Sequence, residues 1–241
     1  MAAMTDADVA ARKAGVVIRE LTELAAFDEA YRLFDTIWRP DPANPPITVE
    51  LMRAFSKAGN YVSGAYDGSR LVGACVGFFA EPAGTALHSH VTGVAVVGRH
   101  IGYALKLHQR EWSVSRGLTA ISWTYDPLVS RNAYFNVVKL GATPIEYLVD
   151  FYGNMNDEVN RDDESDRLLV RWDLSPTATV ALDRSCERVA IPDDIEQLRI
   201  TDPNAAREWR LTVREALGGL MARGAKVVGF DHGYVVSKGD G

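Results

Sequence analysis

Residues 91–112, VTGVAVVGRHIGYALKLHQREW, pass from a β-branched run to an apolar repeat of three to four residues across a Gly-Arg-His-Ile-Gly turn, with no proline between them. Strand, turn and helix in immediate succession narrow the choice of fold more than any other stretch of the chain. A helix launched from a strand in this way points several unpaired backbone N–H groups, and the positive end of its dipole, at one place. The turn is suited to an anion, and it belongs in a sheet that alternates with helices.

The remaining sequence supplies that alternation. GVVIREL reads as a strand, and TELAAFDEAYRLFDTIW as a helix capped by Thr22 with apolar residues at Leu24, Phe27, Tyr31, Phe34 and Trp38. RPDPANPP is a loop, and TVELMRAFSKAG a shorter helix stopped by Gly59. NYVSGAYDGSRLVGACVGFFAE gives two strands joined at Asp67-Gly68 in a type I′ hairpin. Then come strand ALHSHVTGVAVV, helix 101–116, strand LTAISWTY, helix SRNAYFNVVKL, and strands ATPIEYLVDFY and DRLLVRWDL. The order β-α-α-β-β-β-α-β-α-β-β predicts an α/β (α+β) fold, a mixed and strongly twisted sheet with helices on both faces.

Three segments are expected. Residues 1–15 read as a flexible leader, residues 16–174 as the main domain, and residues 175–241 as a C-terminal helix and hairpin extension. In the extension Asp202 caps a helix with Pro203 in its first turn and one apolar face of Trp209, Val213, Leu217 and Leu220. Arg207, Arg210 and Arg214 form a stripe beside it, read first as a solvated face and second as an anion-binding one. So short a unit cannot bury a core alone, so it must pack on the main domain or on a second copy of the chain, as a homodimer.

Composition excludes several function classes. With 47% apolar and 24% charged residues the chain is an ordinary globular one, and its net charge of −6 is spread without the basic excess that a phosphate backbone requires. Nucleic acid is therefore not an expected partner. The longest apolar run, residues 71–80, is about half of what a bilayer needs, and the N-terminus lacks the order of a signal peptide, so the expectation is a cytoplasmic protein with no membrane contact. Cys75 and Cys186 have no spacing that suggests a disulfide framework or a thiolate metal site.

RHIGYA, residues 99–104, resembles the Arg/Gln-x-x-Gly-x-Gly/Ala segment of the GNAT superfamily of acyl-CoA-dependent N-acyltransferases. There it joins the fourth strand to the third helix, and its amides hold the pyrophosphate of coenzyme A. The passage from strand to helix puts His100 where most members have the first glycine and Val97 where many have Arg or Gln. GYALKLHQREW, WTYDPLVSRNAYFNVVKLGA, DFYG and SDRLLVRW, together with the tail from IPDD to GFD, resemble a narrower group of predicted bacterial acetyltransferases, frequent in actinobacteria, with a C-terminal extension.

That resemblance implies acetyl-CoA, or another acyl-CoA, and a small amine-bearing substrate meeting in a ternary complex. Cofactor contacts are implied for Val94, Ala95, Val96, Gly98, Arg99, His100, Gly102, Tyr103 and Ala104, and for Asn132 near the start of the following helix. Backbone groups of residues 93–96, freed where the strand splays from the next, would polarise the thioester carbonyl. Many members protonate the leaving thiolate with a tyrosine four residues before the glycine that ends the fourth helix. Val137 holds that position here, and Tyr134, three residues earlier on nearly the same face, is the candidate acid.

His88 and His90 alternate on one face of their strand, and His90 is the candidate base or relay, or else a polar residue that only shapes the cleft. A His-x-His metal site lacks a third ligand at a recognisable spacing, and no metal is expected. SWTYDPLVSRN runs from a strand end into a helix, where such sheets place ligands. Trp123, Tyr125, Asp126 and Arg131 are the substrate-binding candidates, with Asp126 holding an ammonium group. Alternatively, Asp126 accepts an Asx-turn hydrogen bond with Arg131 as its surface partner. A non-catalytic acyl-CoA-binding or regulatory protein, and an interaction module built on the tail, are the other functions the sequence allows.

Overall fold

The computed structural model describes residues 4–155, 157–175 and 186–237. They fall into two compact units, Met1–Ile121 and Ser122–Gly241. Both contain strands of the large sheet, and a separate three-stranded sheet lies in the second. The fold is a mixed α/β one with a large, mostly antiparallel sheet flanked by helices, as the element order predicts.

The first unit runs α1 Asp6–Ala14, β1 Val17–Glu20, α2 Leu24–Trp38, α3 Val49–Lys57, β2 Tyr61–Asp67, β3 Arg70–Ala80, β4 Ala86–Val94 and α4 Ile101–Ser115. Its strands lie in the order β1-β2-β3-β4, every neighbour antiparallel. Asp67 pairs with Arg70, so Gly68 and Ser69 form the hairpin loop. Only Gly68 of these two takes a positive φ, which excludes the type I′ turn expected from Asp67-Gly68, because that turn needs both. Phe27, Ala30 and Phe34 of α2 pack with Met52 of α3 on Val62, Ala74 and Val76 to form the core.

Within the expected leader, residues 5–15 form a capped helix, α1. Thr5 and Asp8 form a reciprocal capping box, and Gly15 closes α1 at φ 65. Thr5 Oγ1 also donates to Glu111 Oε2 at 2.7 Å, which ties α1 to α4. The Thr-x-x-Asp spacing of Thr5 and Asp8 is the sequence signal that marks this helix start.

Helix α4 rests closely on β3. A β-carbon at Gly73 would come within 3.1 Å of Ile101 and Leu105, and one at Gly77 within 3.1 Å of Gln109, so the strand needs glycine under the helix. Lys106 and Gln109 point inward on this side. Lys106 Nζ donates to Ser89 Oγ at 2.8 Å and Gln109 Nε2 to Cys75 Sγ at 3.3 Å. Burial, partly opposed by Cys75, pushes Lys106 down to about 8.

The second unit continues with β5 Ala120–Tyr125, which spans the boundary, and α5 Ser130–Ala133, extended by a π-helical segment Tyr134–Lys139. Strands β6 Thr143–Leu148 and β7 Arg167–Asp173 follow, the sheet order here being β5-β7-β6. The tail adds β8 Cys186–Ala190, α6 Ile195–Thr201, α7 Pro203–Val213, a π-helical segment Arg214–Gly218, α8 Gly219–Ala222, β9 Lys226–Phe230 and β10 Gly233–Ser237. Strands β8, β10 and β9 pair antiparallel in that order.

Of the arginine stripe of the tail only Arg207 lies on an exposed face; Arg210 is buried and Arg214 half-buried. Arg210 is 1% exposed, and Arg199 of α6 is buried beside it. Arg210 grips Asp126 bidentately at 2.9 and 3.0 Å and reaches Asp163 at 2.7 Å; Arg199 meets the same two carboxylates at 2.5 and 2.8 Å. Arg214 holds Asp166 at 2.7 and 2.9 Å and pairs with Glu164. Of the expected apolar face, Val213 and Leu217 are buried while Trp209 and Leu220 are half-buried. Buried charge pairs therefore join α6 and α7 to Asp126, the residue that follows β5.

Candidate functional site

Strand β4 ends at Val94, and the chain turns through residues 95–100 before α4 begins. Gly98 takes φ 85 and His100, at the N-cap, φ 61. A left-handed conformation costs a residue with a β-carbon about 1–2 kcal/mol, which is why glycine is the usual occupant of such a position. The His100 side chain makes no capping hydrogen bond, and Ala104 N–H closes the first helical turn on His100 O at 3.1 Å. The amides of Ile101 and Gly102 thus precede the helical ladder, at the positive end of a fifteen-residue helix.

This turn fits a pyrophosphate group. Residues 94–104 contain no acidic side chain. A β-carbon at Gly98 would meet nothing within 4 Å, and one at Gly102 only Val94 Cγ2 at 3.7 Å, an ordinary contact, so space is open beside Gly98 and Gly102 is not crowded. The left-handed residue followed by helical ones makes a concave run of N–H groups of the kind that receives oxyanions. Arg99, expected to meet the cofactor, is turned elsewhere: its guanidinium pairs with Asp67 and donates to the carbonyls of Ala14 and Gly15.

His90 is half-buried on β4, with Nε2 3.1 Å from Pro46 O. A carbonyl only accepts, so Nε2 carries a hydrogen, and in the neutral ring the lone pair is on Nδ1. His88 is pushed down to about 4 by burial, then by His90 and Lys106, and so stays neutral at pH 7. The imidazoles lie 6.3 Å apart between centroids, each against Phe78. Among the described residues no cluster of three or more His, Cys, Asp or Glu could hold a metal ion.

The loop after β5 is built differently from the sequence expectation. Trp123 and Tyr125, 5% and 6% exposed, are core residues rather than a substrate wall. Trp123 Nε1 donates to Asn136 Oδ1 at 3.1 Å, and its ring meets Trp172 edge-on. Tyr234 O–H donates to Pro127 O at 2.9 Å, which leaves Tyr125 O–H to donate to Tyr234 at 3.2 Å.

Asp126 is 7% exposed and both its oxygens are engaged, by Arg210, by Arg199 and by the Leu128 N–H at 2.9 Å. The Asx turn is therefore present, and the ammonium anchor is replaced by guanidinium groups from the tail. Burial alone would raise the Asp126 pKa, but Arg210, Arg199 and Arg167 together pull it well below the usual carboxylate range. Arg131 does not partner Asp126 either; it lies exposed and pairs with Glu196.

Asn132 is half-buried in α5. Tyr134 opens the π-helical segment and is 54% exposed. A π turn, closed by i→i+5 hydrogen bonds, advances less per residue than an α turn, so a three-residue step no longer returns to the same face. Tyr134 shares its exposed face with Val138, whereas Val137 is half-buried. No sequence pattern at 134–139 marks the wider turn.

Among the described residues no helix is long and apolar enough to cross a membrane. No family model matches the chain, and no curated protein does. Solved structures do. An acetyltransferase of the GNAT family from Desulfovibrio desulfuricans superposes with a TM-score of 0.55 at 14% identity, over 66% of this chain and 99% of its own. An aminoglycoside 6′-acetyltransferase type Ii gives 0.54 at 19% identity over 67% and 99%. An aminoglycoside 6′-N-acetyltransferase complexed with coenzyme A gives 0.51 at 16% identity over 67% and 99%. A third of the present chain lies beyond each match, and over the remainder the protein has the fold of GNAT acetyltransferases.

Proposed function

We propose that this protein is an acyl-CoA-dependent N-acyltransferase that moves an acetyl group from acetyl-CoA to the amine of a small molecule or peptide. Residues 16–174 carry the acyltransferase fold in this reading, and residues 175–241 are an extension. The observation that carries it is the β4–α4 turn. Left-handed residues at 98 and 100, a helix start without a side-chain cap, open space beside Gly98, an uncrowded Gly102 and the absence of acidic side chains from residues 94–104 support a pyrophosphate cradle here. The coenzyme A complex of a fold neighbour supports the choice of anion.

A bound thioester supplies an already activated acyl group, so the chain has three tasks: to orient an uncharged amine, to polarise a carbonyl and to protonate a thiolate. The backbone of residues 93–96 is proposed for the carbonyl, and Val94, Ala95 and Val96 for the pantetheine arm. Gly98, His100, Gly102, Tyr103 and Ala104 are proposed for the pyrophosphate, and Asn132 for a further cofactor hydrogen bond. His90, with a lone pair on Nδ1, is the proposed base or relay. Tyr134 is the proposed acid, its exposure leaving the hydroxyl accessible.

Isothermal calorimetry with acetyl-CoA, followed by a thiol-release assay against an amine library, tests the function. Binding and amine-dependent release support it; no binding ends it. Tyr134→Phe removes one exposed hydroxyl and should leave the fold intact while lowering turnover about 10- to 100-fold. Wild-type turnover in that variant would return the proton to solvent. A second reading, an acyl-CoA-binding protein without chemistry, is favoured by one observation: the carboxylate best placed by sequence for an ammonium substrate, Asp126, is consumed by Arg199 and Arg210. Binding without thiol release from any amine would select it.

A further inference from the structure

Arg99 sits in the proposed pyrophosphate turn, yet its guanidinium is turned towards protein groups. Nε and Nη2 donate to Ala14 O at 3.1 and 2.9 Å, Nη2 also to Gly15 O at 3.0 Å, and Nη1 pairs with Asp67 Oδ2 at 2.6 Å. Ala14 and Gly15 end α1, where carbonyls lack helical partners and the dipole is negative, so a cation is favoured there. Gly15 is needed for the approach: at φ 65 it tolerates the left-handed cap, and a β-carbon would stand 2.8 Å from Arg99 Nη2. Asp67, at the end of β2, completes the fork, and the hydrogen bond and charge of Arg99 hold its carboxyl below the usual range.

The opposite end of α1 is fastened as well, by Thr5 to Glu111 of α4. Arg99 therefore connects three elements, the end of α1, the β2–β3 hairpin and the turn that opens α4.

We propose that Arg99 is a positioning residue, and that the Arg99–Asp67 pair with the C-terminus of α1 holds residues 97–102 in the conformation that presents their amides to the cofactor. The proposal rests on the cofactor reading above and adds α1 and Asp67, neither of which needs to touch a ligand, to the binding apparatus.

Charge and position predict opposite results. Were Arg99 a cation acting directly on the pyrophosphate, Arg99→Lys would keep most of the affinity, and Asp67→Asn, which deletes a nearby negative charge, would raise it. Positioning predicts that both variants bind coenzyme A about five- to tenfold more weakly, because lysine cannot reproduce the fork and asparagine cannot anchor it, while Asp67→Glu stays near wild type.

The test is calorimetry of coenzyme A with the full chain and these three variants, alongside melting temperatures and amide hydrogen exchange of residues 95–104 in the ligand-free protein. Weaker binding and faster exchange in Arg99→Lys and Asp67→Asn, restored in Asp67→Glu with the melting temperature little changed, support the proposal. Tighter binding by Asp67→Asn overturns it, as does a lower melting temperature with unchanged affinity, the mark of a structural role only. Should the wild type bind no coenzyme A, the cofactor reading falls, and the exchange arm alone then decides: faster exchange supports the positioning role and unchanged exchange overturns it.

Discussion

Arg210→Met should cost the folded protein about 3–5 kcal/mol, the range found when one partner of a buried ion pair is removed. The methionine fills much of the space, so the loss is electrostatic. Asp126 and Asp163 lose their bidentate partner and keep Arg199, with Arg167 4.0 Å from Asp126. Two buried carboxylates then share one close guanidinium. Urea denaturation of the full chain at pH 7 measures the effect, and a change below about 1 kcal/mol would show that water or rearrangement compensates.

The pH dependence has a fixed sign. Because Asp126 titrates lower in the folded state than unfolded, its contribution is complete above the unfolded value near 4 and is lost as pH falls towards the folded one. Arg210 is shifted up: burial opposes its charge, but Asp126 and Asp163 outweigh that, and its proton is retained throughout the accessible range. The gap between wild type and Arg210→Met should therefore narrow as pH drops below about 4. A gap that widened in acid would mean that other groups govern the unit.

Gly102→Asp should weaken coenzyme A binding about thirtyfold, corresponding to about 2 kcal/mol, without weakening the fold. The new β-carbon would meet only Val94 Cγ2 at 3.7 Å, an ordinary contact. The carboxylate would lie in the first turn of α4, where a negative charge stabilises a helix but repels a second anion. Stability and affinity should thus move in opposite directions, a combination that general damage does not produce. Calorimetry with coenzyme A and a melting curve read both, and unchanged affinity in the folded variant would remove the pyrophosphate from this turn.

The strand–turn–helix at 91–112 was legible because its signals are local. The β-branched run marks the strand, which stops at Val94, three residues before the expected end at Val97, and the apolar period starts the helix where the turn ends. Even the unusual left-handed His100 falls where the family resemblance puts a glycine. Helix α1 was equally local and was missed only because its Thr5–Asp8 box lies in an alanine-rich stretch without large apolar residues. Trp123 and Tyr125 do share one strand face, as alternation requires; their burial among Trp172, Asn136 and Tyr234 was not written in that alternation.

Sequence by itself determined the order of the elements from β1 to β7, an antiparallel hairpin beside Gly68 and the strand–turn–helix of residues 91–112, since each follows from φ preferences and periodicity within a few residues. Tertiary structure alone decided what the charged groups do. Arg210 and Asp126 are 84 positions apart, and Arg99 and Ala14 are 85 apart; nothing near any of them distinguishes a solvated side chain from a buried fork. Whether a carboxylate binds a substrate amine or a guanidinium depends on which cation the fold delivers at hydrogen-bonding distance. Periodicity reports which face a side chain occupies, and only packing determines whether that face meets water, a ligand or another part of the chain.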